Sequence, residues 1–186
     1  MPSAILTCHA LTPTDAVRRI EARVRRGVDA LELSFVIEGE IERLRLPATT
    51  RPRIAHLLWE HTCCESFIAV EGSAAYHELN LAPSGEWAAY TFRAYREFVS
   101  AAEDDGLAPD IAVCTQPDRF ELDARVRLQH LSPLHLRAPL RVALATVVED
   151  HRGTLSYWAL HHPVGKADFH HPDAFVLRLE PPGDAC

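Results

Sequence analysis

No apolar run in the chain approaches the ~20 residues of a membrane-spanning helix, so no membrane partner is expected. Residues 1–11 carry neither a basic cluster nor an apolar stretch long enough for a secretion signal. A cytoplasmic protein is the resulting expectation. Paired cysteines are missing too: Cys8, Cys63, Cys64, Cys114 and Cys186 are odd in number and show no C-x-x-C spacing. Neither a disulfide framework nor a structural zinc knot is signalled, and the five read as reduced thiols, most of them buried. Positive charge is also short. Nineteen Lys and Arg stand against 26 Asp and Glu, a formal charge of −7, which gives nucleic-acid phosphates no electrostatic reason to bind.

What is present is a balance of 47% hydrophobic and 24% charged residues over 186 positions, which suits one soluble domain with a sizeable core. No internal repeat or linker interrupts it, so residues 1–186 are read as a single domain. The 13 prolines punctuate the chain, because proline is excluded from helix interiors and central strands. Between them the pattern has period two. Leu31, Leu33, Phe35 and Ile37 alternate with polar partners, as do Phe120, Leu122, Ala124, Val126 and Leu128. Further strands are predicted at residues 63–70, 76–82, 87–93, 111–115, 140–148, 155–161 and 175–179, many joined by short turn sequences. Residues 140–148 are apolar on both faces and belong in the middle of a sheet. Residues 15–26 fit a helix or a strand; the alternation of Ile20, Ala22 and Val24 favours the strand. One helix is predicted over residues 94–104, with Phe98 and Ala102 on one face and Gly106 as its stop. The fold class is all-β, a jelly-roll-like β-sandwich with one short helix.

Two consecutive strands carry a recognisable text, LWEHTCCESFIAV at residues 58–70 and AYHELNLAPSGEWAAYTF at residues 75–92. They resemble the DOMON-like domains related to the family 9 carbohydrate-binding modules, and YWALHHPVGKADFHHPDAF at residues 157–175 is similar to the closing segment of the bacterial DOMON-like proteins. The resemblance implies a β-sandwich whose relatives bind sugars or haem, without fixing the ligand. Methionine and histidine ligate haem in some of those relatives. Met1 is the only methionine here, so haem is not expected; a histidine pair such as His77 with His162 has no spacing to recommend it. The family 9 relatives grip a terminal sugar between two tryptophans, and this chain offers Trp59, Trp87 and Trp158.

On residues 63–70, Glu65, Phe67 and Ala69 share one face; on residues 76–82, Tyr76, Glu78 and Asn80 do. Pairing of these strands places Glu65 beside Glu78 or Asn80. Two carboxylates in one place repel unless a calcium-type cation, a hydroxyl-rich ligand, or Arg93 or Lys166 separates them. Trp87 on the same face would supply the aromatic surface a pyranose needs; the bland alternative makes it a structural residue closing the sandwich. Trp59, in an apolar run, reads as core, and Trp158 as either.

The loop at residues 161–171 concentrates His162, Lys166, Asp168 and His170. These side-chain types can ligate a metal or act as acid and base, but adjacent histidines in a strand diverge, and an ordered loop bonded through Asp168 or His170 is the simpler reading. The expected function is a non-catalytic domain binding a carbohydrate or similar polyol. An interaction module or homo-oligomer, and then a hydrolase using His162, Asp168 or His170, are the alternatives.

Overall fold

The computed structural model describes residues 3–103 and 105–183, which form twelve strands and one four-residue helix. One sheet contains β2 (Val17–Arg26), β3 (Ala30–Gly39), β9 (Arg119–Arg127) and β8 (Asp110–Gln116), in that spatial order. The other runs β11 (Leu155–Ala159), β10 (Leu140–Glu149), β4 (Cys63–Val70), β5 (Tyr76–Leu81), β6 (Trp87–Phe92) and β7 (Phe98–Ala101), with β12 (Leu177–Leu179) against β10. The first strand, β1 (Ser3–Cys8), belongs to both. Its residues 3–6 pair with β2, and Thr7 and Cys8 pair with Ala159 and Trp158 of β11. The strand pairings are antiparallel, and the result is the β-sandwich that the alternating pattern predicts.

Alternation explains which side chains meet in the middle. Ile20, Ala22 and Val24 of β2 and Phe120, Leu122, Ala124 and Val126 of β9 are buried from one sheet. Leu79, Leu81, Trp87 and Leu144 join the same cluster from the other. The opposite side of the first sheet carries cross-strand charge pairs, such as Arg25 with Glu32; such exposed pairs are typically worth no more than about 1 kcal/mol. Within residues 15–26 the strand β2 forms, because Arg18, Arg19 and Arg25 face water while the aliphatics fill the core. Gly39 closes β3 against the backbone of Ala16, where any β-carbon would overlap the Ala16 carbonyl oxygen.

The second sheet is buried on both faces. In β10, Leu140, Val142 and Leu144 enter the central core while Ala143, Ala145 and Val147 enter a second cluster on the outer face. That cluster includes Leu58, Phe169 and Phe175 from the connecting segments, so these segments cover part of the outer face.

The helix expected at residues 94–104 is absent; the described part of that stretch makes a hairpin turn and then β7. Arg93 donates its backbone N–H to the Glu97 carbonyl, Glu97 donates to Ala94, and Tyr90, Thr91 and Phe92 pair with Ala101, Ser100 and Phe98. A helix there would bury a narrow stripe and put acidic residues at its unfavourable C-terminal end, whereas a strand satisfies the edge of β6. Asp104, the last position of the expected helix, lies outside the described residues. The short helix, α1 (Leu128–Leu131), instead follows β9, with Leu128 still buried as the alternation predicts.

Candidate ligand-binding pocket

The outer face of the second sheet is built by the even positions of β5 and β6 and the odd positions of β4. Register sets Glu65 opposite Asn80 and Phe67 opposite Glu78, so Glu65 and Glu78 are diagonal neighbours on one face. Both are buried, at 3% and 5% exposure, and both open onto a cavity of about 430 Å³. Val147 of β10 lies beside them, and the walls are aromatic. Tyr90 and Phe92 come from β6, Phe98 from β7 and Tyr157 from β11; Trp59 comes from the turn before β4 and Phe169 from the C-terminal loop. Trp59 stands edge-on to Tyr90 with ring centroids 5.8 Å apart, and Phe98 packs on Phe92 at 6.1 Å.

A polar chain ties the carboxylates to the loop. Asn80 donates its amide to Glu78 Oε1 at 2.8 Å. The Tyr76 hydroxyl accepts the backbone N–H of Arg96 at 3.2 Å, so its own proton is free for His170 Nδ1 at 2.8 Å. That leaves the Nε2 hydrogen of His170 on the side of Glu78 Oε2, 3.6 Å away. Asp168 accepts from Tyr95 at 2.6 Å and from the Arg96 guanidinium at 2.8 Å, and its Oδ1 also receives the backbone N–H of His170. Arg96 adopts a left-handed backbone, φ 56°, and Leu57, one residue before the turn carrying Trp59, does so at φ 60°. Non-glycine residues rarely occupy this region; among the described residues these two do, and Arg96 lines the pocket while Leu57 leads into the turn that brings Trp59 to it.

Burial governs the protonation of the pocket. It raises the Glu65 carboxyl well above its ordinary value, reinforced by the charge of Glu78. It raises Glu78 to about 7, although the Asn80 hydrogen bond and Arg96 oppose the rise. Burial, with Arg96 nearby, lowers His170 to about 4, so this imidazole is neutral near pH 7. Tyr90 is pushed up to about 12 by burial and by Glu78. Two acceptors are left open, since Glu65 Oε1 and Asn80 Oδ1 are buried without a hydrogen-bond partner. Native folds seldom leave such atoms unpaired, and a polar ligand in the cavity would satisfy Glu65, which lines it.

Of the residues singled out in the sequence, Glu65, Glu78 and His170 line the cavity, Asn80 supports Glu78, and Asp168 holds Arg96 in place. Trp87 does not face the carboxylates. It pairs with Leu81 and is fully buried between the sheets, because β6 turns odd positions inward. Trp158 is also in the central core, with its indole N–H on Ser156 Oγ at 3.0 Å. Arg93 is exposed and paired with Glu97, Lys166 is exposed, and His162 lies against the Thr7 carbonyl at 2.8 Å and the ring of His9; none of the three lines the cavity. His77 packs on His135, away from His162. Among the described residues no group of three His, Cys, Asp or Glu side chains is placed to hold a metal ion. Cys63 and Cys64 are fully buried and their thiols are pushed up by desolvation, which removes the nucleophilic thiolate.

Trp59, whose apolar run reads as core, is 38% exposed at the cavity wall. Tyr90, Arg96, Tyr157 and Phe169 also line the cavity without appearing among the sequence candidates, and Phe98 is reached only as a face of the expected helix. Tyr90 had a signal: counting by twos from Trp87 puts it on the opposite face, and it pairs across from Glu78.

No family model matches the sequence, and no curated protein does. Solved structures do match. A Bacteroides uniformis protein to which carbohydrate binding is provisionally ascribed superposes with a TM-score of 0.68 at 13% identity, over 94% of this chain and 84% of that one. The chain shares its fold with family 9 carbohydrate-binding modules. A Caldicellulosiruptor kristjanssonii module of that family in complex with cellotriose gives a TM-score of 0.55 at 12% identity, over 88% of this chain and 74% of that one. The glucose complex of a module from the same organism gives 0.52 at 13%, over 83% and 72%.

Proposed function

We propose that the protein is a non-catalytic carbohydrate-binding domain and that its sugar occupies the aromatic cavity above Glu65 and Glu78. The observation that carries this reading is the pairing of aromatic walls with buried, incompletely bonded oxygen acceptors on one sheet face. A pyranose has an apolar face for the rings of Trp59 and Tyr90, and hydroxyls that donate to Glu65 Oε1 and to Glu78. The fold supports the reading, since two of the structures sharing it are complexes with glucose and cellotriose. The text at residues 58–70 and 75–92 that resembles DOMON-like domains forms β4 to β6, which supplies Glu65, Glu78, Tyr90 and Phe92. A hydrolase built on His162, Asp168 and His170 has less support. His162 is turned to Thr7, and Asp168 is engaged by Arg96 and Tyr95.

Titration calorimetry against a panel of mono- and disaccharides tests the proposal, repeated with calcium and with a chelator. Binding is expected, and Trp59→Ala is expected to weaken it about tenfold with little change in melting temperature, as its ring is partly exposed. Silence across the panel would overturn the reading. One observation favours self-association as a second role: edge strand β7 exposes Phe98 and Val99 at 60% and 56%. Sedimentation at high concentration decides it; a strict monomer removes it.

A further inference from the structure

The same pocket brings together two carboxyl groups that could ionise side by side only with a cation between them. Glu65 and Glu78 share one sheet face, both nearly inaccessible to water. The guanidinium of Arg96 is the cation lining the cavity, and it is matched by Asp168 at 2.8 Å. The remaining basic group of the lining, His170, is a neutral ring whose Nε2 stands 3.6 Å from Glu78 Oε2, beyond hydrogen-bond reach. Among the described residues no cation is bonded to either glutamate, burial holds both carboxyls toward their protonated form, and Glu65 Oε1 has no donor at all. Hydroxyl groups would give hydrogen bonds but supply no charge that lets both carboxyls ionise. An ammonium group brings three N–H donors and a positive charge together. The walls suit it as well, because the faces of Trp59, Tyr90 and Phe98 attract a cation close to the carboxylates.

We propose that the preferred ligand is an amino sugar with a free amine, whose ammonium group sits between Glu65 and Glu78 while its ring lies against Trp59 and Tyr90. This rests on the sugar-binding reading above and narrows it. Acetylating the amine removes the charge and adds bulk, so N-acetylated sugars fall outside the class. Acidic sugars would meet two carboxyl groups and are excluded for the same reason.

Calorimetry near neutral pH with matched sets distinguishes the two levels: D-glucosamine, D-glucose and N-acetyl-D-glucosamine, then the corresponding galactose set. The amine is expected to bind about tenfold tighter or more than its parent sugar and its acetylated form, the worth of one charge-assisted hydrogen bond. Glu65→Gln and Glu78→Gln are each expected to collapse that ratio toward one. A parent sugar that binds as tightly as its amine overturns this inference and leaves the sugar-binding reading standing. No binding by any member overturns both. The amine-to-parent ratio is measured on the unaltered protein, so the inference stays refutable even if a glutamine variant does not fold.

Discussion

Replacing Glu78 with glutamine isolates the electrostatic penalty built into the pocket floor. The side chains have nearly the same shape, and the glutamine carbonyl can still accept the Asn80 amide that now bonds Glu78 Oε1 at 2.8 Å. What changes is the ability to ionise. Glu78 holds its proton up to about 7 in the fold against an ordinary value of 4.5, so the folded state binds the proton more tightly than the unfolded chain. Its contribution to stability is then fully present below about 4.5 and is lost as the pH rises through about 7. At about 1.4 kcal/mol per pH unit, that interval corresponds to about 3 kcal/mol, an upper figure because Glu65 shares the repulsion. Glu78→Gln should therefore match the natural protein near pH 4.5 and exceed its stability by up to about 3 kcal/mol near pH 8. For a chain of this length that corresponds to a melting temperature roughly 6–12 °C higher. His77 and His170, both lowered to about 4 by burial, act in the opposite direction on acidification, losing their contribution as pH falls below 6.5. They are present in both proteins and largely cancel in the difference. Urea unfolding of the two proteins at four pH values between 4.5 and 8 provides the comparison. A variant that becomes less stable than its parent as the pH rises would refute the reasoning, because it would mean that Glu78 is ionised and compensated in the fold.

Two further substitutions test the frame that holds the pocket. Gly39→Ala drives a β-carbon into the Ala16 carbonyl oxygen, so β2 and β3 must separate where they meet; a loss of more than about 2 kcal/mol in urea unfolding is expected, and an unchanged midpoint would contradict the close approach. Trp87→Ala empties the centre of the sandwich and should lose about 3–5 kcal/mol, with thermal melting as the readout. A normal melting temperature accompanied by lost sugar binding would return Trp87 to the site.

Period-two patterning made the strands legible, and with them the pairing of Glu65 and Glu78, because a strand assigns faces from sequence position alone. It failed where tertiary partners decide. Residues 94–104 carry a weak helical pattern, but the free edge of β6 gives their backbone better partners than a helix would. Trp87 was attractive as a sugar platform by residue type, yet its parity with Leu81 and Leu79 already placed it inward. Trp59 could not be read in this way. It sits in a three-residue turn after a left-handed Leu57, where no period applies and its exposure depends on Tyr90 beyond it. Arg96 was likewise hidden, since its place follows from a positive φ in a hairpin turn and from Asp168, 72 residues away.

The first strand has a consequence for how the chain reaches its folded state. Its pairing partners lie at opposite ends of the sequence scale: β2 follows after an eight-residue connection, whereas Thr7 waits for Ala159. During synthesis the first sheet can recruit β1 early, but the second gains no partner for Cys8 until more than three quarters of the chain exists. The β4 to β10 pairing, which joins the glutamate strand to the sheet centre, also waits for residues 140–147. The pocket therefore cannot be assembled ahead of the sandwich, and with so many distant pairings slow, all-or-none folding is expected in place of stepwise growth from the N-terminus.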